Sequence, residues 1–146
     1  MPAGTVIGVN LSRQKGIKKE NKGSGYLKTD YGLEGDAHAG TARQVSIFMV
    51  ERAKEIAGAY GISFRPGCFA ENITVQDIDL KGIGLGARIL IGEAIVEVTE
   101  IGKKDEGQQR SSFPEPAPLK TEGIYCRVVK GGQVKIGDSV TVVAQA

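Results

Sequence analysis

The only histidine, His38, stands two residues after Asp36 in a glycine-rich stretch. At that spacing a carboxylate can orient an imidazole as a general base. A lone histidine in such a loop also serves plain structural hydrogen bonding, and one His with two Cys is too few for a zinc site. Cys68 and Cys126 lie at no metal-binding spacing. Cys68 follows Pro66-Gly67 in a turn, where a thiol can be exposed, so it is the better candidate for a reactive sulfur. Cys126 runs in phase with Ile124 and Val128, on the expected inward side of a strand, where free thiols are inert. Arg43 can grip a phosphate with two parallel N–H groups, or can simply be solvated. Ser46 reads either as a ligand contact or as a helix N-cap. Asn72 offers a donor and an acceptor on one amide, and Glu71 beside it offers an acceptor; turn bonding and solvent are their plainer roles.

These residues need elements to position them. Thr5, Ile7, Val9 and Leu11 alternate with Val6, Gly8 and Asn10, the pattern of a first strand. From Ser12 to Lys28 six basic residues meet one acid and three glycines, which reads as an exposed, mobile basic hairpin or loop. Tyr31 to Gly40 is loop by its glycine and polar content. The one strong helical period spans residues 46–60, with Val50, Ala53, Ile56, Ala57 and Tyr60 on a single face. Beyond it the chain reads as β: Asn72–Val75, then Ala94/Val96/Val98 in alternation, then Ser139–Val143. Ile124–Val129 and Val134–Ile136 flank Gly131-Gly132, a hairpin signal. The segment from Gly102 to Glu122, with prolines at 114, 116 and 118, is a long surface excursion. The expected fold is therefore mainly β: a small closed or nearly closed barrel with one packed helix, forming a single domain over residues 1–146.

Composition narrows the function classes. Nineteen Lys and Arg against 17 Asp and Glu leave a net charge of +2, too little for a general nucleic-acid binder. Aromatics are 5% with no Trp, which speaks against base-stacking platforms. No apolar run approaches the ~18 residues of a membrane span, and Met1–Thr5 does not open a signal peptide. A cytoplasmic, reducing setting is the expectation, with no nucleic-acid or membrane partner.

Three early segments together resemble the MOSC domain, named from the molybdenum cofactor sulfurase C-terminus. They are Gly32-Leu-Glu-Gly-Asp-Ala-His-Ala-Gly40, Arg43-Gln-Val-Ser46 and Pro66-Gly-Cys-Phe-Ala-Glu-Asn-Ile73. The second half follows the same order: Gly86-Ala-Arg-Ile-Leu-Ile-Gly92, Glu97-Val-Thr99, Gly123 to Gly132, and Ile136-Gly-Asp138. The likeness covers nearly the whole chain, as in the short stand-alone bacterial members. It implies a β-barrel that binds molybdenum cofactor (molybdopterin, a phosphorylated pterin dithiolene) or handles sulfur for metal centres. Family members include sulfurase C-terminal domains and enzymes that reduce N-hydroxylated compounds. The resemblance places Asn72, Glu71, Arg43 and Ser46 as cofactor contacts, with Lys103 and Lys104 beside them.

The family carries a cysteine after a Gly-Lys pair, read as a sulfur carrier or a thiolate ligand to molybdenum. Here the chain reads Gly102-Lys103-Lys104-Asp105, so Asp105, or Lys104 if the loop slips by one, takes that place. A carboxylate can bind an oxo-metal, making Asp105 the candidate metal ligand and catalytic replacement, but it cannot carry a persulfide. His38 and Cys68 complete the catalytic candidates, Cys68 as a displaced sulfur carrier. The chain holds no pyridoxal-phosphate, flavin or nicotinamide fingerprint, so electrons or sulfur would come from a partner, an electron donor or a cysteine desulfurase. The alternative is a non-catalytic barrel that carries the cofactor or recognises a partner protein.

Overall fold

The computed structural model describes residues 3–102 and 118–145. Strand β1 (Gly4–Leu11) opens the chain, followed by the short β2 (Glu20–Asn21), β3 (Ser24–Lys28) and β4 (Gly32–Leu33). Next come β5 (Val45–Met49), helix α1 (Val50–Ala59), β6 (Ile73–Gln76), β7 (Arg88–Ile91) and β8 (Ala94–Ile101). The one-turn α2 (Leu119–Glu122), then β9 (Ile124–Lys130), β10 (Gly132–Lys135) and β11 (Ser139–Ala144), complete the order.

Among the described residues seven strands close a barrel in the order β11-β7-β8-β9-β5-β6-β1, with β1 returning to β11 through Gly4↔Val140 and Thr5↔Ser139. Closure uses the ladder groups that an open sheet would leave at its edges. All neighbours are antiparallel except β5 and β6, a parallel pair that needs a crossover, and α1 lies in that crossover. β10, β3 and β4 form a separate small sheet, whose Leu27, Leu33 and Val134 join the barrel's apolar cluster. No helix of the described residues is long and apolar enough to cross a membrane.

The strands carry two faces. Val45, Ile47, Ile73, Val75, Val96, Val98, Cys126 and Val128 fill the interior, each such aliphatic contributing about 1.5–3 kcal/mol when buried. Phe48 and Tyr125 point the other way, into a second cluster with Ala53, Ile56 and Ala57 of α1, Cys68, Phe69 and Leu119. The inward phase expected for Ile124, Cys126 and Val128 is the observed one.

Three expectations are corrected. The helix covers Val50–Ala59, not 46–60, because Val45–Met49 is a strand covered on both faces, which erases the alternation that would have marked it. Tyr60, expected on the buried helical face, lies past the last turn and is 60% exposed. Gly131-Gly132 is not a hairpin turn: β9 pairs with β8 and β5, while β10 pairs with β3. Neither glycine has a positive φ, which the tight hairpin turn requires. They are small because a Cβ on Gly131 would meet the Leu27 carbonyl at 2.9 Å, and one on Gly132 the Glu93 backbone at 2.7 Å. The basic stretch is the third correction. It contains β2 and β3 and buries Leu27 and Lys19, because the small sheet and a buried carboxylate recruit them.

Candidate functional site

The outer face of the barrel wall carries a polar belt under α1 and the Pro66–Asn72 turn. Ser46, in β5, donates from N and Oγ to Asn72 Oδ1 at 2.9 and 3.3 Å. Asn72 N donates back to Ser46 Oγ at 3.0 Å, and Asn72 Nδ2 donates to the Asn10 carbonyl at 3.1 Å. Asn10 Nδ2 continues the belt to Thr74 Oγ1 at 2.9 Å and the Glu71 carbonyl at 3.1 Å. All of these residues are buried. The amide of Asn72 therefore clamps β1, β5 and β6 together. Ser46 is not the N-cap of α1, whose cap position is Met49 without a side-chain bond.

Glu71 is wholly buried. Its Oε2 accepts from Gly67 N at 3.1 Å and Thr74 Oγ1 at 2.7 Å, and its Oε1 from Phe69 N at 3.3 Å. Burial raises its pKa, against the lowering effect of these donors. The carboxyl closes its own turn instead of facing solvent. Among the described residues Asn10 Oδ1 is the buried side-chain oxygen left without a hydrogen-bond partner.

Arg43 precedes β5 and reaches over β9 to Glu100 on β8. Its Nε donates to Oε1 at 2.8 Å and its Nη2 to Oε2 at 3.0 Å, the two-pronged geometry that also fits a phosphate. The guanidinium lies 5.6 Å from the centre of the Tyr125 ring, and its side chain is 17% exposed. Glu100 stands two residues before Gly102, where the chain enters the Lys103-Lys104-Asp105 segment. Those three candidates lie outside the described residues.

His38 meets Asp36, but not as the expected dyad. Lys19 Nζ donates to Asp36 Oδ1 at 2.8 Å and to Ser12 Oγ at 3.0 Å, with its side chain 1% exposed. Asp36 Oδ2 accepts the backbone N–H of His38 at 3.0 Å, whereas the ring Nδ1 stays 3.6 Å away. Burial pushes the Asp36 carboxyl up, yet the contacts with His38 and Lys19 outweigh it and hold it well below the ordinary carboxylate range. Asp36 is thus the partner of an ammonium before it is an orienter of imidazole.

Cys68, expected to be exposed in its turn, is 3% exposed and packs in the outer cluster. Burial pushes its thiol up, and likewise that of Cys126. The correction for Cys68 follows from its turn, closed by Cys68 N to Arg65 O and Ala70 N to Gly67 O, packing into the cluster with Phe48, Tyr125 and α1. Both cysteines are free. Among the described residues no group of three or more His, Cys, Asp or Glu is arranged to hold a metal ion. Sequence reading missed Lys19, Asn10, Thr74 and Glu100; Lys19 is hidden among exposed lysines, and Glu100 follows the alternating part of its strand.

The model of the MOSC domain matches residues 34–141. Among solved structures, the chain is similar to the YUAD protein from Bacillus subtilis, with 21% identity and a TM-score of 0.72 over 95% of this chain and 94% of that one. It is similar to YiiM from Geobacillus stearothermophilus at 18% identity and TM-score 0.70, covering 96% and 75% of the two chains. YiiM from Escherichia coli gives 20% identity and TM-score 0.69, covering 100% and 72%. At these identities the likeness shows the fold. No curated protein matches the chain.

Proposed function

We propose a function from one premise: the chain belongs to the MOSC domain family. On it, the protein is a cytoplasmic binding module for molybdenum cofactor that works without a thiolate of its own. The observation that carries this reading is the burial of both cysteines, each with its thiol pushed up. A buried, protonated thiol neither ligates a metal nor attacks a sulfur donor. With Asp105, or Lys104 if the loop slips by one, at the family's cysteine position, sulfur carriage and thiolate-ligated reduction lose their reagent, while anion binding does not.

The donor set fits the cofactor's phosphate better than its pterin. Ser46, Asn72 and Glu71 spend their polar groups on the chain itself. Arg43 would take the phosphate, because a second oxyanion can replace the Glu100 carboxylate on the same two N–H groups. Lys103, Lys104 and Asp105 follow Glu100 closely in the chain and would supply the remaining polar contacts. When bound, the cofactor contributes the metal and dithiolene; the protein's part is to hold and hand over.

The test is molybdenum by elemental mass spectrometry and pterin by fluorescence after oxidative release, on protein purified from a cofactor-competent host. Near-stoichiometric pterin, falling roughly tenfold or more in Arg43→Met, is expected. Neither component, even after reconstitution, overturns the reading. Reduction of an amidoxime by the unmodified protein would instead overturn the carrier role.

A further inference from the structure

The Lys19 cluster adjoins the Glu71 turn through Gly67, and the pterin reading does not use its side chains. Ser12 follows β1, and Lys19 returns seven residues later to donate to its hydroxyl, so the six-residue loop between them is pinned at its base. That loop carries Arg13, Lys15 and Lys18, all exposed, and none makes an ion pair with a described residue. At the base, the ammonium directs one N–H to Ser12 Oγ and one to Asp36 Oδ1; the third faces His38 Nδ1 at 3.4 Å.

An ammonium has three donors and no acceptor, so His38 Nδ1 must be the acceptor in that contact. The ring proton then sits on Nε2. Asp36 Oδ2 lies farther from Nδ1, at 3.6 Å, and also receives the His38 backbone N–H, so the shorter Lys19 contact favours Nδ1 as acceptor. Nε2 has no partner among the described residues, and the side chain is 18% exposed. His38 Nε2 thus opens to solvent from the cluster that also pins the loop carrying Arg13, Lys15 and Lys18.

We propose that this cluster is a receptor for a tetrahedral oxyanion of the phosphate class, free or as the monoester of a small molecule. His38 Nε2–H would contact the anion, and Arg13, Lys15 and Lys18 would supply the attraction. Lys19, Asp36 and Ser12 are positioning residues that set the ring and the loop. A metal cation is disfavoured there, since Nδ1 is occupied and Nε2 carries a proton.

Because His38 is the sole histidine, its two-bond 1H–15N correlation spectrum needs no assignment. At neutral pH the Nε2–H tautomer pattern is expected. Inorganic phosphate and glycerol phosphate, titrated separately at constant ionic strength, should move the Nε2 signal saturably. Response to inorganic phosphate alone assigns a free ion, and response to both assigns a phosphate group of a small molecule. The surface variant Arg13→Gln/Lys15→Gln/Lys18→Gln keeps the buried cluster and should weaken binding by roughly tenfold. An Nδ1–H or doubly protonated ring overturns the geometry, and no saturable shift with either probe overturns the site. Cofactor content is a separate readout, so this inference and the pterin reading can fail independently.

Discussion

Asp36 and Glu71 are both buried carboxyls in turns against the same barrel, yet they are driven in opposite directions. Asp36 has an ammonium at 2.8 Å and is held below its ordinary range. Glu71 has two backbone N–H groups and a hydroxyl, and burial raises it. The donors around Glu71 do not offset its desolvation, whereas His38 and the Lys19 ammonium together offset that of Asp36. The two regions are joined by Gly67, whose carbonyl accepts from Lys19 N at 2.9 Å and whose N–H donates to Glu71.

The largest expected effect comes from stranding one charge. Lys19→Met should cost about 3–5 kcal/mol, read as a lower urea midpoint, because Asp36 is left buried without its cation. Adding Asp36→Leu should recover most of that loss. A single variant losing under about 1 kcal/mol would mean that water, not lysine, stabilises Asp36, and the contrast would collapse.

Next comes the junction. Gly67 has φ +90°, and a Cβ there would meet the Lys19 carbonyl oxygen. Gly67→Ala should cost about 1–3 kcal/mol from the backbone conformation alone, with more from the clash. Hydrogen exchange should show both the Lys19 loop and the Glu71 turn loosening together; loosening of one only would show that they are not coupled.

The pH dependence separates the carboxyls by sign. Asp36 is depressed in the folded state, so its stabilisation is present above the unfolded Asp pKa of about 3.9 and is lost as pH falls further. Glu71 is raised, so its contribution is full below about 4.3 and is lost as pH rises through its folded value. Glu71→Gln should remove that second decline from the stability–pH curve while leaving the acid limb. An unchanged curve would sink the assignment. The smallest effect is expected at the exposed Arg88–Glu97 pair across β7 and β8, where Arg88→Gln should change stability by no more than about 1 kcal/mol in thermal unfolding.

Strands whose one face is buried were legible, as Val96 and Val98 show by alternating with exposed or half-exposed neighbours. So was the inward phase of Cys126. The strand Val45–Met49 was not, since burial on both faces removes the period and lets it merge with the helix that follows directly. At the candidate site, Arg43 was recognisable as a two-pronged cation, but its partner Glu100 lies 57 residues away. Asn72, Ser46 and Glu71 read as ligand contacts because polar residues in a turn or near a strand end carry no mark of the segments that will close over them.

What the sequence alone determined is local or compositional: the barrel class, the strand periods, the family order of motifs, and the absence of cysteine at the expected place. Tertiary structure decided which strands pair, that β10 joins β3 and not β9, and that one lysine among many is buried. The physical reason is range. A side-chain period is written within a few neighbouring residues, whereas the burial of Lys19 depends on Asp36, 17 residues on, and on the Gly67 turn still farther along. Desolvation and pairing, which set the chemistry of Asp36, Glu71 and His38, exist only once those distant segments meet.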